Sequence, residues 1–253
     1  MNLPRSSVPL WVVSALLAGC ATGPDAIPGD PLEPFNRTMF RVNDKIDQYV
    51  AIPLAKGYRK VTPSPVRTAV TNFFNNLGDV GNTINNALQG KGEDAVNSLM
   101  RFALNSTFGL AGLIDIATPA GIRKRPQDFG LTLGTWRVPS GPYLVLPLFG
   151  PSSFRDGTGL IVDFQLDPVT YTEPRVRNPM YALDFVNTRA NLLDTTELLE
   201  DVALDKYSFV RDGYVQRRKY LLESETGANA PPASQTPAEP APGQPQDSTP
   251  PNQ

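Results

Sequence analysis

The chain has 253 residues, with 23 Lys and Arg against 25 Asp and Glu, and that near balance leaves no basic footprint for nucleic acid. It has no histidine and a single cysteine, which rules out an intrachain disulfide and removes the commonest general base, the usual catalytic triads and most zinc sites. No catalytic residue, metal or cofactor is expected. Charged residues make up 19% of the chain, below the roughly 25% of soluble domains. That deficit suits a chain partly sunk in lipid and is equally compatible with a plain soluble domain.

Taken in chain order, Arg5 precedes an apolar run from Val8 to Leu17 that ends in Leu17-Ala18-Gly19-Cys20. A charged start, a short apolar stretch and small residues before a cut site are the layout of a secretory signal. The run is too short for a spanning helix of about 20 residues. Leu-Ala-Gly-Cys resembles the bacterial lipobox, which predicts a signal over residues 1–19 and lipidation of Cys20. The other reading is an ordinary cleavage with Cys20 as a spare thiol. A lipoprotein cysteine carries three acyl chains, each buried CH₂ adding about 0.8 kcal/mol, so the mature chain is expected at a membrane surface. Ala21 stands where an Asp would signal inner-membrane retention, so the periplasmic face of the outer membrane is the expected location, with retention at the inner membrane as the other reading. Residues 20–34, with Pro24, Pro28, Pro31 and Pro34, read as the lipidated N-terminus and its tether.

A single, mostly α-helical domain is expected over residues 35–223. Phe35, Met39, Phe40, Val42, Ile46 and Val50 recur at helical steps, and that helix is expected to stop before Pro53. Its apolar stripe fits a core face or a lipid-facing one. Thr62-Pro63-Ser64-Pro65-Val66-Arg67 marks a second helix start. From there Val66, Ala69, Val70, Phe73, Leu77, Val80, Ile84 and Leu88 form one stripe. Asn72, Asn75, Asn76, Asp79, Asn82, Asn85 and Asn86 form another. Lys and Glu have higher helix propensity than Asn on a solvated face. The amide stripe therefore reads either as the lining of a wet passage for head groups or as helix caps and breaks around Asn75-Asn76 and Gly78. Candidate channel-lining or head-group contacts are Asn72, Asn75, Asn76, Asp79, Asn82 and Asn86.

Gln89-Gly90-Lys91-Gly92 has the wrong spacing for a phosphate-binding loop. A third helix covers Ala95, Leu99, Phe102 and Ala103, and Gly109 and Gly112 fit close backbone packing better than a hinge. The stretches Asp128–Trp136 and Gly141–Pro151, running on to Gly159, look too rich in Gly and Pro for helix; a loop or short hairpin fits. Trp136, Tyr143 and Phe149 suit a water–lipid boundary. Arg155 and Asp156 read as a local ion pair, with head-group contact the lesser reading. Irregular chain with Pro168, Pro174 and Pro179 precedes helix from about Ala182 to Leu193. Asp205 is placed to cap a last helix that carries Arg211, Arg217, Arg218 and Lys219. Those cations suit a solvated face or an anionic surface. Residues 224–253 lack the apolar content to offset ordering entropy, so a disordered Pro-rich tail is expected.

Several motifs recur together in one family: Asp30-Pro-Leu-Glu-Pro-Phe-Asn-Arg37, Thr62-Pro-Ser-Pro-Val-Arg67, Asn72-Phe-Phe-Asn-Asn-Leu77 and Arg101-Phe-Ala-Leu-Asn-Ser-Thr-Phe-Gly109 among them. Asp128-Phe-Gly-Leu-Thr-Leu-Gly134, Gly141-Pro-Tyr-Leu-Val-Leu-Pro147 and Gly150-Pro-Ser-Ser-Phe-Arg-Asp-Gly157 complete the set. With the lipobox, the chain resembles the MlaA (VacJ) family of outer-membrane lipoproteins from about Asp30 to Leu222. The resemblance implies a helical ring seated in the inner leaflet of the outer membrane, with a polar central channel. It also implies removal of phospholipids misplaced in the outer leaflet, delivery to a periplasmic Mla lipid carrier, and trimeric porins as partners. Arg137 and Pro139 stand where many relatives carry glycine, so a gating bend there would be less free. Two alternatives are a structural porin-associated lipoprotein and a peptidoglycan-acting enzyme with paired carboxylates among Asp115, Asp128, Asp156 and Asp163.

Overall fold

The computed structural model describes residues 30–202 and 204–225, so the expected signal, Cys20, most of the tether and the Pro-rich tail lie outside the described residues. The described chain is mostly helical. Helix α1 (Glu33–Ile46) runs through a π-turn (Asp47–Ala51) into α2 (Ile52–Val61). Next come α3 (Ser64–Leu88), α4 (Gly92–Thr107) and the short α5 (Phe129–Thr135). An antiparallel hairpin follows, β1 (Tyr143–Leu146) and β2 (Gly150–Ser153), with Tyr143 opposite Ser153 and Leu146 opposite Gly150. Then α6 (Phe154–Leu166), a 3₁₀ turn (Pro168–Tyr171), α7 (Pro174–Val202) and α8 (Lys206–Glu225) complete the order.

Four boundaries differ from the sequence expectation. Helical chain continues past Pro53, because the π-turn before it widens the ladder where the proline ring would clash with a carbonyl one turn back. Asp128–Trp136 is helical at its centre. Asp128 caps α5 by accepting from Leu131 N at 2.8 Å, and its glycines serve close contact: a Cβ on Gly159 would lie 2.5 Å from Gly130 N. Ser153 caps α6 in the same way, accepting from Asp156 N at 3.1 Å, so Phe154–Gly159 is helix rather than loop. Pro179 lies inside α7 rather than before it; near the N-terminus it removes one hydrogen bond without ending the helix.

The hairpin has a free edge on β1, and α1 covers it with two asparagines. Asn36 Nδ2 donates to Tyr143 O at 3.0 Å while its Oδ1 accepts from Val145 N at 2.9 Å. Asn43 repeats this with Leu146 O (2.8 Å) and Leu148 N (2.9 Å). Seven helical residues rise about 10.5 Å, and three strand residues span about 10 Å, so the two amides fall in register with the strand. They satisfy backbone groups that would otherwise template another strand. Beneath the hairpin sits a small apolar cluster of Tyr143, Val145 and Tyr207.

Elsewhere the usual arrangement is inverted. Among the described residues ten apolar side chains are buried, five of them alanine, against fifteen polar or charged ones, while thirty-two large apolar side chains are exposed. The interior is therefore organised by hydrogen bonds, and the exterior carries the hydrophobic surface. No helix among the described residues is long and apolar enough to cross a membrane.

Candidate functional site: a polar interior around a cavity

The site is built on α3. At 1.5 Å per residue its 25 residues extend about 37 Å, and asparagines at three- and four-residue steps keep to one face. That face is turned inward, with Asn76, Asp79, Asn82, Asn85 and Asn86 buried and Val66, Ile84 and Leu88 exposed.

The stripe divides into two flanks. One packs against α4, where Asn76 Nδ2 donates to Ser106 Oγ at 2.9 Å and Asn86 Nδ2 to Ser98 Oγ at 3.4 Å. Between them Arg101 Nε meets Asp79 Oδ2 at 3.3 Å, the two side chains being 4% and 1% exposed. Arg101 also donates to Thr118 Oγ1 (3.0 Å) and to Ile122 O (2.5 Å), and reaches Asp115 at 3.4 Å. Asn105 Oδ1 accepts from Ile116 N and Ala117 N, pinning the loop after α4. Gly109 and Gly112 in that loop are sites of close packing: a Cβ on Gly112, whose φ is +93°, would lie 2.6 Å from Asn76 Nδ2. Asn72 stands at the edge, donating to Leu113 O at 3.2 Å.

The other flank lines a cavity of about 370 Å³. Asn75, Asn82 and Asn85 form one wall with Gly78 and Gly81, where a Cβ would meet nothing within 4 Å. The opposite wall carries Lys124, Gln127, Asp128, Asp163, Asp167 and Asp184. Hydrogen bonds hold the wall groups: Lys124 Nζ to Asn75 Oδ1 (2.6 Å), Gln127 N to Asn82 Oδ1 (2.8 Å) and Thr132 Oγ1 to Asn85 Oδ1 (2.8 Å). Asp163 accepts from Phe129 N at 2.8 Å and from Asn85 Nδ2 at 3.4 Å. Burial, reinforced by the Asp128 charge, pushes its carboxyl up to about 6. Burial likewise raises Asp184 and lowers Lys124. The cavity thus carries polar and ionisable groups on both walls beside Phe74, Leu77, Leu166 and Val169, and burial works against the charged forms of Asp163, Asp184 and Lys124.

The second predicted group is split by the structure. Trp136 and Phe149 are exposed, each in an edge-on ring contact, with Phe129 and Phe164 respectively. Tyr143 is only 5% exposed and belongs to the cluster under the hairpin, because its alternate position on β1 faces α1 and α8. Arg155 is also buried, and its Nε lies 3.0 Å from Asp156 Oδ1. Asp156 further accepts from Arg218 Nη2 at 2.8 Å and from Tyr214 Oη. Burial pushes the Asp156 carboxyl up, but the Tyr214 hydroxyl and the two guanidiniums outweigh it and hold it below the usual range. Arg218 also grips Asp128 at 2.5 and 2.9 Å. Arg218 is therefore an interior residue joining α8 to α5 and α6, not part of a solvated basic face. Of the four carboxylates considered for acid–base work, Asp115, Asp128 and Asp156 are each held by an arginine.

Sequence reasoning missed Arg101 and the inward role of Arg218. A signal for the first was present: Ala95, Ser98, Arg101 and Asn105 recur at helical spacing and form the buried face of α4.

This geometry can be set beside known proteins. Two relatives, each described as an intermembrane phospholipid transport system lipoprotein MlaA, come from Shigella flexneri and Escherichia coli strain K12. Each is 36% identical, with 87% of this chain and 89% of the relative covered. One of the same description from Haemophilus influenzae is 34% identical over 81% of this chain and 86% of its own. A solved structure described as the structural basis for maintenance of bacterial outer membrane lipid asymmetry superposes with a TM-score of 0.68 at 36% identity. The superposition covers 76% of this chain and 98% of that one. Residues 28–221 match the family described as MlaA lipoprotein, and with a polar interior, an apolar exterior and this coverage the chain belongs to that family.

Proposed function

We propose that this protein transfers phospholipid, serving in a pathway that maintains outer-membrane lipid asymmetry by removing lipids misplaced in the outer leaflet. In this reading Cys20 is acylated and anchors the chain at the periplasmic face of the outer membrane. The helical body sits ring-like in the inner leaflet. Asn75, Asn82 and Asn85 line the aqueous route, Asn76, Asp79 and Asn86 hold that helix against α4, and Asn72 ties it to the loop that follows. Trimeric porins seat the assembly, and a periplasmic lipid carrier receives the lipid. The carrying observation is the inversion itself, a polar cavity of about 370 Å³ inside a body whose large apolar side chains face outward.

The physical benefit is large. Moving a two-chain lipid through water exposes about thirty CH₂ groups, or on the order of 20 kcal/mol. A polar cavity that shelters the head group while the tails stay in hydrocarbon avoids most of that barrier. No bond is made or broken.

Because Cys20 is the only native cysteine, single cysteines placed along α3 test the reading in intact membranes. Positions 75, 82 and 85 should react with a small aqueous thiol reagent, whereas positions 66, 84 and 88 should be protected by lipid. Equal reactivity on both faces would overturn it. In cells, deletion should raise outer-leaflet phospholipid, and the wild type but not Cys20→Ala should restore it.

A further inference from the structure

A second cavity, of about 320 Å³, lies between the hairpin, the N-terminus of α6 and α8. Its chemistry is opposite to that of the cavity beside α3. Ser140, Tyr143, Ser153, Arg155, Arg218 and Lys219 line it, and among the described residues no carboxylate does. Two of these residues carry a buried donor with no hydrogen-bond partner, Tyr143 Oη and Arg218 Nε. Asp128 and Asp156 lie behind this wall and take the two Nη atoms of Arg218, leaving its Nε unused. Arg155 is held instead through its Nε, to Asp156. At the rim Lys219 is exposed, with Glu223 at 3.6 Å. Ser153 caps the 13-residue α6, whose first amides are already taken: Phe154 N by Pro142 O, Arg155 N by Ser140 O and Asp156 N by Ser153 Oγ. Burial, with the Asp30 charge, pushes the Tyr143 hydroxyl up to about 12, which keeps it a donor at any physiological pH.

We infer that this cavity binds a phosphate group. Guanidinium, ammonium and phenol line one cavity, and although Asp128 and Asp156 take the Arg218 Nη atoms from behind, two donors stand unused, which is the donor set a tetrahedral oxyanion satisfies. The phosphate comes either from a lipid head group or free in the periplasm. Val215 and Leu222 also line the cavity and offer an apolar wall to an acyl chain.

The test uses the full-length acylated protein in detergent, titrated calorimetrically with inorganic phosphate and, separately, with dihexanoyl phosphatidate. Saturable binding of either probe is expected. Tyr143→Phe keeps the ring packing and removes the donor, and should weaken binding about tenfold or more. Lys219→Gln should weaken it about threefold, whereas Arg217→Gln, outside the cavity, should not. Tighter binding of phosphatidate than of phosphate identifies a lipid head group as the source; equal binding identifies free phosphate. If neither probe saturates the wild type, the inference fails. It fails also if Tyr143→Phe and Lys219→Gln both bind as wild type does. Lys219 lies on the rim, so its variant remains informative should the Tyr143 variant misfold.

Discussion

Replacing Phe108 and Leu110 by serine should loosen the protein's hold on lipid while leaving its fold intact. Both lie in the loop after α4 and are 69% and 66% exposed, so neither holds the interior together. Transferring a whole Phe or Leu side chain from water to hydrocarbon is worth about 1.5–3 kcal/mol. Two-thirds of that for each residue gives roughly 2–4 kcal/mol for the pair, or about 30- to 800-fold in a partition constant. Residues 21–253, made without acylation and purified in detergent, should be mixed with phospholipid vesicles and sedimented. The double variant should require at least about thirtyfold more lipid for half-binding, with an unchanged circular-dichroism melt. Partition within threefold of the parent would show that the exposed apolar surface is not seated in lipid. So would a parent chain that stays in the supernatant as a monomer.

Other consequences can be measured by thermal melts in detergent. Arg101→Met leaves Asp79 buried and unpaired and should cost about 3–5 kcal/mol; adding Asp79→Leu should return much of it, and additive losses would contradict the pairing. Gly159→Ala places a Cβ 2.5 Å from Gly130 N and should cost about 1–3 kcal/mol by forcing α5 off α6; a neutral result would refute the close contact. Asp163 has a carboxyl raised to about 6 in the folded protein from an ordinary 3.8. Its native state therefore binds the extra proton between those values, and stability falls as pH rises through about 6. Asp163→Asn should thus gain about 1–2 kcal/mol on the wild type at pH 8, after allowing for partial exposure, and little at pH 4; an equal gain at both would refute the titration. Arg137 occupies the left-handed position of a helix C-cap at φ +65°, with Arg137 N on Gly134 O and Val138 N on Leu133 O. Arg137→Gly should stabilise by up to about 1 kcal/mol, since relief of the left-handed cost exceeds glycine's entropic penalty; a loss of stability would contradict this.

Much of this was legible in one dimension because helices advertise themselves by period. The start of α3 with Pro65 in its first turn, its two stripes and the Asp205 cap on α8 all stand in the sequence, and Asp205 Oδ1 accepts from Tyr207 N at 3.0 Å. Helices α5 and α6 were not legible. Glycine lowers helix propensity whatever its purpose, and its purpose here, letting two backbones touch, exists only once both helices are built. The two-flank division of the amide stripe was hidden for a similar reason. Asn75 and Asn76 are neighbours in sequence, yet one faces a cavity and the other Ser106 on α4. Arg218 looked like one of four surface cations because its partner Asp128 is ninety residues away.

The inversion of α3 links these observations. Its two stripes could have been packed the ordinary way, with Val66, Ile84 and Leu88 inward and the amides in water. That arrangement would take Asp79 from the buried Arg101, leaving its guanidinium only the carboxylate of Asp115, at 3.4 Å, and breaking one arm of a buried ion-pair network costs several kcal/mol. In the arrangement found, the amide donors of Asn76 and Asn86 meet hydroxyls on α4 and Asp79 meets Arg101, and the demand for apolar partners moves outward to the exposed side chains. Water cannot meet that demand favourably, whereas an acyl chain can. Folding and membrane seating are then one equilibrium rather than two. Stripping the detergent from residues 21–253 should drive association or loss of tertiary structure, not yield a compact monomer in buffer.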